Sequence, residues 1–390
     1  MKKKIAILGS TGSIGKNLFK IIDQDKHNFE IVLLTSNKNY KLLLSQAKKY
    51  KVKNLIIKDK KSYEILKKKI TKKNKIKLFN NFECFEKIFK KKIDYSMSCI
   101  IGIDGLIPTI NIIKFTKKIA IANKESIICG WSIIKRNLKK YKTSFIPVDS
   151  EHFSLWYGVQ NSNINSVEKL YLTASGGPLY KKNIKRFQKV SVHQALNHPN
   201  WKMGKKITID SATMINKVFE VIEAKNIFDI KYGNIEILVH PKSYVHALIK
   251  FNNGLIKIIA HDTTMRIPIF NTIYEKTLKK IKTKKINIDE LNNLNLKKVD
   301  LKKFPMIKIL NTLPGKQSLF ETIIVSANDT LVELFLKGKI NFTDIQKKLF
   351  NIINQKEFSK YKNISPKNVR DIIKLNDYVH LKILKKVYKA

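Results

Sequence analysis

The sequence predicts an α/β chain with a Rossmann-type, doubly wound N-terminal domain, an α+β central domain and a C-terminal α-helical bundle. Three observations predict it. Apolar runs alternate with amphipathic stretches up to about residue 150, short strands crowd together between 150 and 275, and the periodicity becomes helical from about residue 302. Alternating βα order implies a parallel sheet. At 390 residues the chain exceeds one ordinary domain.

In order, Lys4–Leu8, Ile31–Thr35, Asn54–Lys58, Tyr95–Ile100, Lys118–Ala122 and Thr143–Val148 read as strands. Lys16–Ile22, Tyr40–Tyr50, Ser62–Thr71, Phe82–Phe89, Leu106–Phe115 and Glu125–Tyr141 read as the helices between them. Residues 1–149 are thus expected to form a dinucleotide-binding domain. Residues 150–274 form the expected central, catalytic and connective domain. Its strands are Glu168–Thr173, Ile235–Val239, Val245–Lys250 and Leu255–Ala260, and its helices Phe153–Gln160, Ser191–Leu196 and Ala212–Ile227. Residues 275–301, rich in Lys, Asn and Leu, read as a linker. Residues 302–390 read as a helical bundle over Gln317–Lys337, Asn341–Asn354 and Ser365–Tyr388. Lys67–Lys69 with Lys72–Lys73 read as exposed surface.

Composition narrows the function. No apolar run approaches the length of a membrane span, and the apolar part of the first residues stops at a glycine turn, too short for a signal peptide. A cytoplasmic protein is expected. Cys84, Cys99 and Cys129 lack zinc or disulfide spacing. The net charge of +47 invites nucleic acid, yet Arg stands only at 136, 186, 266 and 370. Nucleic-acid binders favour Arg, and the lysines here are spread along the chain without an aromatic-lined patch. They read as solvated surface that helps attract anionic substrates.

Gly9-Ser10-Thr11-Gly12-Ser13-Ile14-Gly15-Lys16 follows the first strand and opens the first helix. Such a turn lets backbone approach a pyrophosphate at a helix N-terminus. The spacing is GxxGxxG, and Ser10 and Asn17 stand where a P-loop needs Gly and Ser or Thr. The second strand ends in Thr35-Ser36-Asn37-Lys38-Asn39, with a cation and no acid, which suits a 2′-phosphate and favours NADPH over NADH.

Asp149-Ser150-Glu151-His152 sets two carboxylates at i and i+2, expected on one face of an extended segment. Asp210-Ser211 reads as a helix start, followed by Asn216, Lys217 and Glu220 at helical spacing. Asp149, Glu151 and Glu220 offer hard oxygen donors for a divalent cation such as Mg²⁺ or Mn²⁺. Ser175, before Gly176-Gly177, joins Ser211, Asn216 and Lys217 as a candidate phosphate cradle. Residues of about 176–206, with His198, Trp201, Met203 and Gly204, form a long basic segment that reads as a flexible lid. Asn123-Lys124-Glu125 lies at the carboxyl edge of the sheet, where α/β folds bind ligands.

These pieces resemble the 1-deoxy-D-xylulose 5-phosphate reductoisomerase family. The matching stretches are GSTGSIG at 9–15, ANKES at 122–126, VDSEH at 148–152, ASGGP at 174–178, HPNWKMGKK at 198–206 and DSATMINK at 210–217 with Glu220. HP at 240–241, MR at 265–266 and SAND at 326–329 also match, so the resemblance runs over nearly the whole chain. It implies NADPH- and metal-dependent rearrangement and reduction of 1-deoxy-D-xylulose 5-phosphate to 2-C-methyl-D-erythritol 4-phosphate, in non-mevalonate isoprenoid synthesis. It implies cofactor contacts at Thr11, Gly12, Ser13, Ile14, Asn37, Lys38, Asn39, Asn123, Glu125 and Gly204. Metal ligands are implied at Asp149, Glu151 and Glu220, with Mg²⁺, Mn²⁺ or Co²⁺ as the cation. Substrate contacts are implied at Lys124, Ser150, Glu151, Ser175, His198, Ser211, Asn216, Lys217 and Glu220. Of all these residues, Lys124, Asp149, Glu151, His198 and Glu220 are the expected catalytic set. A homodimer is implied, with no nucleic-acid or membrane partner.

Two positions depart from the family pattern: Thr264 stands where Asp usually precedes Met-Arg, and Ser326-Ala327-Asn328-Asp329 replaces the commoner NAANE. An alternative is an NADP-dependent dehydrogenase of another sugar phosphate. A basic nucleic-acid binder and an inactive scaffold are weaker rivals.

Overall fold

The computed structural model describes residues 2–70, 75–275 and 277–388. By contact the chain divides into two units. The first comprises Met1–Ser126, Ile133–Asp149 and Met265–Ile281; the second comprises Ile127–Ser132, Ser150–Thr264 and Lys282–Ala390.

The first unit is built on seven parallel strands: β1 (Lys3–Leu8), β2 (Phe29–Ser36), β3 (Asn54–Ile57), β4 (Lys77–Phe79), β5 (Tyr95–Ser98), β6 (Lys118–Ile121) and β7 (Ser144–Pro147). Their order is β4-β3-β2-β1-β5-β6-β7. Chain order reverses between β1 and β5, the switch point at which doubly wound sheets bind ligands. Ile5 and Ile7 of β1 pack with Leu18 and Ile22 of helix Ser13–Ile22, and all are buried. Helix Arg266–Ile273 adds Ile269, Phe270 and Ile273 to the same core, and Tyr95 and Thr272 share a buried hydroxyl hydrogen bond of 2.8 Å. That packing groups residues 265–274 with the first unit, although sequence order places them after the central strands. The sequence pattern does not show β4, because only three residues form it, beyond a lysine-rich stretch. Lys67–Lys69 are exposed, while Thr71, Lys72 and Lys73 lie outside the described residues.

The second unit carries a mixed sheet of β8 (Val167–Ala174), β9 (Ile235–Val239), β10 (Val245–Phe251), β11 (Ile256–Ala260) and β12 (Lys297–Lys298). The order is β11-β10-β8-β9-β12, with β8 and β9 parallel and the other pairs antiparallel. Strand β12 and helix Ile288–Asn292 fall in the stretch expected to be a linker. A 3-10 turn at Pro305–Thr312 leads to helices Phe320–Leu336, Phe342–Ile353 and Val369–Tyr388. Phe320–Leu336 is apolar on most faces and forms the centre of this helical region, with Phe320, Ile323, Ile324, Ala327 and Leu331 wholly buried. Among the described residues no helix is long and apolar enough to cross a membrane.

Two local expectations need correction. Ser150–Val159 is helical, so Glu151 stands in a first helical turn and does not share an extended face with Asp149. Asp210 and Ser211 lie near the end of helix Lys205–Thr213, not at a helix start. Met214, at φ 65°, breaks the run before helix Ile215–Phe228 begins.

Candidate active site

In the first unit the glycine turn closes over the end of β1. Gly9 has φ 92°, and a Cβ there would stand 2.7 Å from the Cys99 carbonyl oxygen. A Cβ on Gly15 would stand 2.6 Å from the Ser10 carbonyl oxygen, so the helix can sit this close to the turn only without a side chain. Gly12 is the N-cap of helix Ser13–Ile22 and makes no side-chain cap bond. The first amides of that helix therefore have no capping side chain, which suits an anion. Thr11 Oγ1 and Ser36 Oγ lie 2.8 Å apart, tying the turn to the end of β2. Asn37, Lys38 and Asn39 are exposed there, and Asn39 caps the next helix by accepting from the Leu42 amide at 3.1 Å.

After β6, Asn123 caps helix Lys124–Lys140, accepting from the Ser126 amide at 2.7 Å. Its side-chain amide donates to the Ile100 carbonyl, to the Gly102 carbonyl at 2.9 Å and to Glu125 Oε2 at 3.2 Å. All of these groups belong to one carboxyl edge of the sheet. Lys124 is buried, with its Nζ 3.4 Å from Asp149 Oδ2 beyond the end of β7.

The second unit holds a charged cluster. Lys217 Nζ donates to Glu151 Oε1 at 2.6 Å and also to Glu220 Oε2. Carboxylate oxygens of Glu151 and Glu220 come within 4.8 Å of each other. Asn216 donates to Glu220 Oε1, as its i,i+4 spacing on helix Ile215–Phe228 allows, and Ser150 Oγ donates to Glu151 Oε2. Beneath them the buried His152 donates from Nε2 to the Glu220 carbonyl at 2.8 Å, while its Nδ1 lies 3.8 Å from Glu223 Oε2. The Glu220 carbonyl is thus held by a buried imidazole.

At the end of β8, Gly176 and Gly177 have φ 82° and 71°, and a Cβ on Gly177 would stand 2.5 Å from the Ser211 carbonyl oxygen. The Gly177 amide donates to Ser175 Oγ at 3.0 Å, so this amide serves the turn itself. His198 Nδ1 accepts from the Asn200 and Trp201 amides at 3.2 and 3.0 Å, which places the ring proton on Nε2, 3.1 Å from Ser175 Oγ. Burial, aided by the Lys217 charge, lowers the His198 pKa to about 4. The ring is therefore neutral near pH 7. Gly204 caps helix Lys205–Thr213. Within that helix Lys206 Nζ lies 2.9 Å from both Asp210 Oδ2 and Asp329 Oδ1, and Asn328 donates to the other Asp210 oxygen at 2.8 Å.

Family models match three stretches of the chain: 1-deoxy-D-xylulose 5-phosphate reductoisomerase over residues 5–130, its C-terminal domain over 145–228, and the DXP reductoisomerase C-terminal domain over 262–380. A curated 1-deoxy-D-xylulose 5-phosphate reductoisomerase of Pelagibacter ubique (strain HTCC1062) is 61% identical over 98% of this chain and 98% of its own length. The chain belongs to the 1-deoxy-D-xylulose 5-phosphate reductoisomerase family. A relative of that name from Thermoanaerobacter sp. (strain X514) is 37% identical over 98% of this chain and 99% of its own. The Zymomonas mobilis reductoisomerase, solved with NADPH, superposes at a TM-score of 0.87, with 27% identity and 99% of both chains covered. A DOX-P reductoisomerase solved with NADPH, fosmidomycin and magnesium superposes at 0.91, with 29% identity, covering 99% of this chain and 98% of that one.

Within this reductoisomerase fold, Glu151, Asn216, Lys217 and Glu220 meet in one cluster, Ser175 meets His198, and Lys124 meets Asp149. Ser211 turns its carbonyl to the Met214 amide at 3.2 Å. Sequence reasoning missed Glu223, which lies beside His152, and the support given by Asn328 and Asp329 to Asp210 and Lys206. It also missed His246 and His261. The pairing of Val245 with Ala260 across β10 and β11 brings these two rings together, and that register was the signal available.

Proposed function

We propose that this chain rearranges 1-deoxy-D-xylulose 5-phosphate and reduces the product with NADPH to 2-C-methyl-D-erythritol 4-phosphate, in the presence of Mg²⁺ or a similar divalent cation. The observation that carries the reading is the Glu151–Lys217–Glu220 cluster in a chain of this family. Two carboxylates already converge on one cation, the Lys217 ammonium, and their oxygen donors suit a hard divalent ion. Glu151, Glu220 and Asp149, two residues before Glu151 in the chain, are the proposed metal ligands. The glycine turn fits a dinucleotide, because it leaves the N-terminus of helix Ser13–Ile22 without a side-chain cap at the switch point of the sheet.

When bound, NADPH supplies a hydride and the cation supplies a Lewis acid for the substrate oxygens. The chain's own residues bind and orient. The turn at Thr11, Gly12, Ser13 and Ile14 takes the cofactor's diphosphate, and Asn37, Lys38 and Asn39 face its 2′-phosphate. Asn123, Glu125 and Gly204 complete the cofactor contacts. Ser175, Ser211, Asn216 and Lys217 hold the substrate phosphate, assisted by the neutral His198, whose Nε2–H is a donor. Lys124 and Ser150 contact the sugar. Residues 176–206 act as a lid that excludes water and fixes geometry.

The domain roles follow: residues 1–149 serve the dinucleotide, 150–274 the chemistry and 302–390 support. We further infer a homodimer, as the family resemblance implies, working in the cytoplasm where NADPH is regenerated. Light scattering tests the dimer. The decisive assay follows NADPH absorbance with 1-deoxy-D-xylulose 5-phosphate, with and without Mg²⁺ or Mn²⁺. Cation-dependent oxidation is expected, and its absence from folded protein refutes the reading.

A further inference from the structure

Three aromatic side chains of the second unit form a column that the residue roles above do not use. The Trp201 indole meets the His246 ring edge to face, with centroids 6.1 Å apart and an interplanar angle of 71°. His246 stacks on His261 at 3.7 Å and 18°. The two rings are also joined through the backbone, since His246 Nε2–H donates to the His261 carbonyl at 3.2 Å. His261 Nδ1–H donates to the Asp262 carbonyl at 2.8 Å, which leaves its buried Nε2 without a hydrogen-bond partner among the described residues. That ring therefore contributes mainly a flat surface.

The column ends on the turn that orients His198. The Trp201 amide is one of two donors to His198 Nδ1, and the Asn200 side chain donates to the Pro241 carbonyl at 2.6 Å and to Ser243 Oγ at 3.0 Å. The 198–201 turn is thus seated on the β9–β10 connection and the start of β10. Its neighbour on β10 is the His246 ring, which is held by its hydrogen bond to the His261 carbonyl and by the His261 ring stacked on it.

We propose that His261 is a positioning residue: by stacking behind His246 it fixes the surface on which Trp201 docks, and so the pose in which His198 meets the substrate. The inference rests on the reading that His198 contacts substrate. Burial lowers the His261 pKa, which keeps the ring neutral and favours the stack.

His261→Ala removes the stacking face, while His261→Phe retains it and forfeits one hydrogen bond to a carbonyl. With the holoenzyme supplied with NADPH and Mg²⁺, His261→Ala should raise the KM for 1-deoxy-D-xylulose 5-phosphate about 3- to 10-fold with little change in kcat, the scale of one aromatic pair. His261→Phe should restore KM to within about twofold. Acrylamide quenching of tryptophan fluorescence gives a readout independent of turnover. It should rise in His261→Ala and not in His261→Phe, and the rise should vanish when Trp201→Phe is added. An unchanged KM and quenching in His261→Ala overturns the proposal. So does equal impairment of both variants, which would assign the effect to the lost polar contact. If wild-type protein shows no turnover, the functional reading fails while the quenching series still decides the column.

Discussion

In the first unit the anion-facing feature is main chain: Gly9 turns at φ 92°, Gly15 lets the helix close on Ser10, and Gly12 leaves the helix N-terminus without a side-chain cap. In the second unit the corresponding work falls to side chains, with Glu151, Lys217, Glu220 and Asn216 satisfying one another and His152 and Glu223 beneath them. A backbone cradle is insensitive to most substitutions and intolerant of a single Cβ. A side-chain cluster tolerates small backbone changes and depends on each charge. The two regions should therefore fail in different ways.

The largest expected effect is on turnover alone. Glu220→Gln keeps the shape of the side chain and removes its charge, while the Lys217 contact with Glu151 remains. NADPH oxidation with substrate and Mg²⁺ should fall about 10²- to 10³-fold, the cost of losing one electrostatic contact to a developing charge. NADPH affinity, read by cofactor fluorescence, should stay within about twofold, since no second-unit carboxylate belongs to the glycine turn. A parallel loss of cofactor binding would break the contrast. Gly9→Ala is the reverse experiment. Its Cβ would meet the Cys99 carbonyl at 2.7 Å in a backbone region that Ala avoids. Urea unfolding should show a loss of about 1–3 kcal/mol, and NADPH affinity should fall with it.

The contrast also explains what was legible. The βα alternation and the glycine turn repeat local rules, so six of the strands in the parallel sheet could be read directly, while their order in the sheet came from the fold. The exception, β4, is too short to show a pattern. In the second unit local rules misled. Asp210-Ser211 has the composition of a helix cap, yet the helix begins at Lys205, because Gly204 supplies the cap and Asp210 is spent on Lys206 and Asn328. Glu151 looked extended because Ile146-Pro147-Val148 precedes it, whereas Ser150 opens a helix. That Glu151 and Glu220 meet is a long-range fact with no periodic signature; the chemistry of their oxygen donors and the family resemblance pointed to it, and local pattern did not.

Asn328 offers a way to sharpen this point, because it lies in a motif that departs from the family pattern. Its amide is the donor to one oxygen of a wholly buried carboxylate, Asp210. Asn328→Ala should cost about 1–3 kcal/mol in urea unfolding with an unchanged m-value, the penalty of a buried acceptor left short of a donor. Asp329→Asn should cost less, since Asp329 is about a third exposed and Lys206 keeps Asp210. If Asp329→Asn proves the more damaging, the shorter acid of this motif is the anchor and Asn328 is a spacer.

The smallest expected effect is the acid sensitivity of His198. Its pKa is lowered from 6.5 to about 4, first by burial and then by the Lys217 charge. A histidine held neutral in the fold binds fewer protons than the unfolded chain below the unfolded pKa. Its contribution to stability is therefore complete above about pH 6.5 and declines as pH falls toward about 4, where the folded ring also takes its proton. His198→Gln keeps a polar side chain without a titrating ring, so its unfolding midpoint should fall less than that of wild type between about pH 6.5 and 4. Because the ring is only partly buried, solvent screening keeps the difference small, and matched urea titrations at several pH values are needed to see it. Gly9→Ala, whose defect is steric, should track wild type across the same range. Identical pH profiles for all three proteins would mean that His198 is open to solvent in the working enzyme, and that the second unit's side-chain site is looser than its hydrogen bonds to Ser175 and Trp201 imply.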